Sequence, residues 1–139
     1  MKKAGKLVTG LLGLAMAVTT ILPAGASMVY SHRIELEKYQ AWTKMYGAGR
    51  SFEEHYVSAR CEAVYPAVGE DNYKKIQCRV VDGSSVVMTT KDYYVLTEGE
   101  RGYTDMELKK EYRDNYQVCF QFRGNSNSPA YAQVSYTGN

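Results

Sequence analysis

Apolar and polar residues alternate with a period of two along much of the chain, the spacing of strands that bury one face. Within residues 30–42, Tyr30, His32, Ile34, Leu36 and Trp42 share one face, and Ser31, Arg33, Glu35 and Glu37 share the other. A first strand is predicted there, with a helix as the alternative because Glu, Lys, Leu and Ala suit one. Residues 46–51, with Gly47 and Gly49, read as a loop. Residues 56–65 and 74–82 read as a strand pair around a turn-rich segment, 66–72. Written antiparallel about that segment, the pair sets Val57 against Asp82, Ala59 against Val80, Cys61 against Cys78 and Ala63 against Ile76.

Residues 82–85 then predict a tight turn into extended stretches at 86–90 and 93–97. The pattern changes at 105–114, where a short helix is predicted. Thr104 is its N-cap, Glu107 completes a capping box, and Tyr103 with Leu108 forms a hydrophobic staple. Leu108 and Tyr112 would face the sheet and Lys109, Lys110 and Glu111 the solvent. Residues 116–123 and 130–137 read as a closing hairpin in which Val118, Phe120 and Phe122 meet Tyr136, Val134 and Ala132. The whole predicts a mainly β fold: a single antiparallel β-sandwich or rolled sheet of about seven strands with one short helix.

The N-terminus departs from this alternation. Lys2, Lys3 and Lys6 precede an apolar stretch that ends at Pro23-Ala24-Gly25-Ala26, the layout of a signal peptide over residues 1–26 with a cut before Ser27. Residues 27–139 then form one β-rich domain, secreted to the extracellular space or, where an outer membrane exists, to the periplasm. A membrane is a partner only if the leader stays uncut, because about 20 apolar residues are needed to span a bilayer. Loss of the leader's three lysines reduces the 17 basic residues of the chain to 14, against 15 acidic ones. A nearly neutral domain gives no footprint for nucleic acid.

Composition sharpens the β reading. All 13 tyrosines follow residue 26, and β-branched and aromatic residues suit half-buried pleated surfaces. Export makes a Cys61–Cys78 disulfide the first expectation, closing a loop of about 17 residues for roughly 3 kcal/mol. The alternative is three buried, reduced thiols. Cys119 is left as a free or intermolecular thiol on the other face of its strand.

No catalytic, metal or cofactor residues emerge. His32 and His55 lack ligand-spaced companions, and Glu53-Glu54-His55 is not a zinc-protease pattern. Glu35 and Glu62 form one conceivable acid pair, but nothing singles them out among the scattered carboxylates. Tyrosines on polar strand faces, Tyr39, Tyr56, Tyr93 and Tyr131, are the candidate binding surface, since Tyr offers contact area at low entropic cost. The expectation is a non-enzymatic exported binding module for a protein, glycan or cell-wall component, gripping through aromatic surface rather than charge. A secreted bacteriocin-like antagonist is the alternative, and an exported hydrolase the third reading.

Overall fold

The computed structural model describes residues 18–20, 28–37, 41–66, 74–124 and 129–139. The chain is mainly β. The strands are β1 (Val18–Thr20), β2 (Val29–Leu36), β3 (Tyr46–Gly49), β4 (Tyr56–Pro66), β5 (Lys75–Val81), β6 (Tyr94–Thr97), β7 (Thr104–Glu107), β8 (Gln117–Gly124) and β9 (Ala130–Thr137). From Val29 on, the described residues make two four-stranded antiparallel sheets, ordered β2-β9-β4-β7 and β3-β8-β5-β6, and β1 pairs along the outer edge of β2. Apart from Val18–Thr20, the expected leader lies outside the described residues.

Alternation decides which side chains go inward. In β2, Tyr30, His32, Ile34 and Leu36 are buried, as their spacing requires. Inward residues of both sheets join one buried cluster, with Ile34, Val57, Ala132 and Val134 from the first and Ile76, Val80, Val118, Phe120 and Phe122 from the second. Tyr136 of β9 sits at its centre, its ring 4.6 Å from that of Phe120 and 6.2 Å from that of Phe122. The hairpin reading sets Val118, Phe120 and Phe122 against Tyr136, Val134 and Ala132, and the contact between β8 and β9 is not a hairpin. It is made instead between sheets, because β8 pairs with β3 and β5 while β9 pairs with β2 and β4.

Four other expectations are corrected. The 105–114 helix is replaced by β7 and a single 3-10 turn at Lys110–Tyr112. Thr104 pairs with Ala59, and Glu107 with Tyr56, so the residues that spell a capping box serve as a strand edge beside β4. Met106 and Leu108, at period two, are both fully buried, a gain that a helical face centred on Leu108 and Tyr112 would forgo. Residues 46–49 are a strand, for Ala48 is buried while Gly47 and Gly49 lie against β8. β4 and β5 fall in different sheets, so the register that opposed Cys61 to Cys78 does not form. Stretch 86–90 contributes only isolated bridges, Val81 to Val87 and Thr89 to Leu108. The turn before it does form. Asp82 Oδ1 accepts from the Ser84 and Val86 N–H groups at 2.7 and 3.0 Å, and Ser85 takes φ 66°.

The C-terminal strand is tied down by Arg50. Its guanidinium donates to the carbonyls of Gly138, Asn139, Glu54 and Arg113 at 2.8 to 3.1 Å. Gly138 is required there, because a Cβ would stand 2.1 Å from the Gly49 carbonyl oxygen.

Candidate functional site

Two strands of the second sheet carry the same tripeptide pattern, Gln-x-Arg, at Gln77-Cys78-Arg79 in β5 and Gln121-Phe122-Arg123 in β8. The middle residue of each is buried in the core, which turns the Gln and Arg to the outer face. Antiparallel register sets Gln77 opposite Arg123 and Arg79 opposite Gln121. Each arginine then donates from Nε to the facing amide oxygen, Arg79 to Gln121 at 3.0 Å and Arg123 to Gln77 at 2.5 Å. The two guanidinium groups therefore lie on a diagonal across the strand pair, held by reciprocal bonds.

Trp42 covers them. Its ring centroid is 4.2 Å from the Arg123 guanidinium carbon and 4.5 Å from that of Arg79, and the Tyr93 ring is 5.3 Å from Arg123. These are close cation–π contacts. Segment 41–45 holds the indole in place through Thr43, whose N–H donates to the Phe122 carbonyl at 2.9 Å. The Thr43 hydroxyl accepts from the Phe122 N–H at 3.0 Å, and its carbonyl accepts from Gln121 Nε2 at 2.7 Å. Trp42 thus belongs to the outer face of the second sheet, not to the inward face of β2 where the period-two count set it.

Among the described strand residues that point outward on this sheet, the charged ones are Lys75, Arg79 and Arg123, with no carboxylate between them. Asp82 stands just beyond the end of β5, with Oδ1 taken up by its own turn. Neither Arg79 nor Arg123 makes an ion pair among the described residues. Burial lowers the pKa of Arg79, and the neighbouring charge of Arg123 lowers it further. Trp42 also borders an open cleft of about 380 Å³, whose other walls include Glu35, Glu37, Thr43, Lys44 and Tyr46.

The candidate tyrosines do not come together. Tyr39 lies outside the described residues. Tyr93 joins the arginine face. Tyr56 and Tyr131 belong to the first sheet, Tyr56 paired with Glu107 and Tyr131 under the Arg33 guanidinium at 4.8 Å. Sequence reasoning missed Trp42, Arg79, Arg123, Gln77 and Gln121. The signal that could have found the last four was the repeated Gln-x-Arg on two strands.

Cys61, Cys78 and Cys119 are free thiols, so the Cys61–Cys78 bridge is absent from this structure. Burial pushes the Cys61 pKa up to about 12 and raises that of Cys78 as well. Burial, then the charge of Asp82, raises that of Cys119. None of the three is poised as a thiolate near neutral pH. The conceivable acid pair is not assembled either. Glu35 lies opposite Tyr131, whereas Glu62 accepts from the Ser135 hydroxyl at 2.7 Å and pairs with Arg60 at 3.2 Å. His32 is buried, its ring stacked on Tyr136 at 5.7 Å and Nε2 without a hydrogen-bond partner. No group of three or more His, Cys, Asp or Glu able to hold a metal occurs among the described residues.

No protein-family model matches the sequence, and no curated protein matches it. A crystal structure of Drosophila melanogaster CENP-C bound to CAL1 overlaps 96% of this chain and 94% of that chain, at 7% identity and a TM-score of 0.37. That likeness carries no argument about either fold or function.

Proposed function

We propose that the chain is an exported β-sandwich binding module, non-enzymatic, whose working surface is the arginine and tryptophan face of the second sheet. The observation that carries the reading is the pair of guanidinium groups fixed against Trp42 without a carboxylate to neutralise them. Two like charges held on one face of a sheet cost stability. A fold that keeps them there, each clamped by a dedicated glutamine, has a use for unpaired positive charge beside an aromatic ring. The bland explanation is a stack that merely stiffens the sheet. It accounts for one arginine on Trp42 but not for two that repel each other.

Of the expected tyrosines among the described residues, only Tyr93 belongs to this surface, and the reading departs from the sequence expectation of aromatic contact rather than charge by giving the two cations a part in binding. Export gives the module extracellular or cell-wall material as its target. Purified residues 27–139 should co-sediment with insoluble cell-wall or extracellular-matrix preparations. Trp42→Ala, with a far-ultraviolet circular dichroism spectrum like that of the parent, should stay in the supernatant. Equal sedimentation of parent and variant would move the working surface elsewhere.

A further inference from the structure

We infer that this face takes an acidic polysaccharide, in which Arg79 and Arg123 grip the oxyanion of one sugar while Trp42 lies against a neighbouring, uncharged ring. The inference rests on the binding-module reading and adds its ligand class. A guanidinium bonded through Nε still has its two terminal amino groups, and neither arginine uses them on another described residue. The remaining fork matches the geometry of a carboxylate, sulfate or phosphate. Because the glutamines already hold both forks, little side-chain freedom is lost on binding. A single anion placed between the forks also relieves their mutual repulsion.

The second half of the argument comes from Trp42, the residue shared by the arginine pair and the adjoining cleft. The cleft volume of about 380 Å³ falls within the range of small-ligand sites. Glu35 and Glu37 outnumber Lys44 in its lining, so on balance it disfavours a second acidic group while offering acceptors to hydroxyls. One end of the surface therefore selects an anion and the other, one charge negative in its lining, favours a neutral ring. A polymer in which acidic and neutral sugars alternate fits both ends, whereas one that is acidic at every ring fits less well. A bilayer is disfavoured, for the Trp42 ring lies against both guanidinium groups instead of standing clear of the sheet.

Trp42 is the sole tryptophan of the chain and reports on its own site. Its fluorescence should be titrated with hyaluronan, whose acidic and neutral rings alternate, and with polygalacturonate, acidic at every ring. Uncharged dextran, vesicles of phosphatidylcholine with phosphatidylglycerol, and single-stranded DNA complete the panel. Hyaluronan should give a saturable change that weakens with added salt, and polygalacturonate should bind less tightly. Arg79→Gln with Arg123→Gln should weaken hyaluronan binding by about tenfold or more, since charge-assisted forks are lost. Should that double variant melt early, Arg79→Lys keeps the charge, removes the fork, and should weaken binding as well. Glu35→Gln with Glu37→Gln should narrow the gap between the two polymers. Equal binding of dextran, or tighter binding of vesicles or DNA, overturns the inference. So does silence toward both acidic polymers while wall co-sedimentation still depends on Trp42, a result that leaves the binding module standing and removes only its ligand class.

Discussion

The outer faces of the two sheets are built from the same alternation, but only the first sets carboxylates among its cations. On the first, Glu62 bonds Ser135, Ser31 and Arg60, and Gln133 donates to Ser31, so this cluster is mutually bonded. Ser58 likewise donates to Asp105 and accepts from Asn139. Arg60 Nε lacks a hydrogen-bond partner, and Arg33 packs on Tyr65 and Tyr131 without an ion pair among the described residues. On the second, the glutamines satisfy only one nitrogen of each arginine, and the charge that remains has aromatic partners but no carboxylate among the described residues. A cluster whose carboxylate and hydroxyl groups are mutually bonded has little left to offer a ligand. A face held rigid yet incompletely paired keeps its donors available, and that is where recognition is cheapest to build.

The comparison presumes that both faces rest on one core, and the largest predicted effect tests this. Phe120→Ala should cost about 3–5 kcal/mol by opening a cavity against Tyr136. Urea transitions followed by Trp42 fluorescence and by far-ultraviolet circular dichroism should shift together. A fluorescence transition that moves alone would make the sheets separate units. Gly138→Ala should cost about 1–3 kcal/mol, since its methyl group meets the Gly49 carbonyl and displaces the chain end from Arg50. Hydrogen exchange should show loosening at β9 and β3 and leave the Gln-x-Arg strands protected.

Between the faces lies His32, whose pKa burial lowers from the ordinary 6.5, with Lys44 lowering it further. Above pH 6.5 the imidazole is neutral folded or unfolded, and its contribution is fully present. As pH falls through that value the unfolded chain takes up the proton first, so stability drops until the lower folded pKa is reached. His32→Phe should flatten this part of a melting-temperature profile, and an unchanged profile would place the acid sensitivity elsewhere. The smallest effects separate the faces directly. Glu62→Gln should cost about 1 kcal/mol because its bonded network is broken. Arg123→Gln should change stability by no more than about 0.5 kcal/mol, lost ring contact being offset by relieved repulsion. Thermal melts that reverse this order would dissolve the distinction between a bonded carboxylate cluster and an arginine pair without carboxylates.

What the sequence revealed was local. Alternation located β4, β5, β6, β8 and β9 to within a residue or two and found the start of β2, which ends at Leu36 instead of running to Trp42, because burial of one face leaves its mark on every second position. Partner strands left no such mark. β4 and β5 are close in sequence and carry apolar faces that would suit a hairpin, yet the faces bury equally well in separate sheets. Residues 104–108 show how two periods can be written over one another. Thr104 and Glu107 spell a helix start, Met106 and Leu108 a strand, and the β4 edge decides for the strand. Of the candidate surface, only Tyr93 was legible. Trp42 lies beside Thr43, which is bonded to β8, and no periodicity reports where a residue outside a strand lands.

Val29 and Thr137 are paired Cα partners, so the start of β2 and the end of β9 emerge at the same corner of the first sheet. Tension applied at those two points would open the pair like a zipper, breaking one bond after another instead of loading all of them in shear. The guanidinium of Arg50, hooked to the carbonyls of Gly138 and Asn139, is the first strut to carry the load. Pulled at these ends, the domain should yield at low force, whereas pulling from Leu36 and Thr137 should meet the resistance of the whole strand pair.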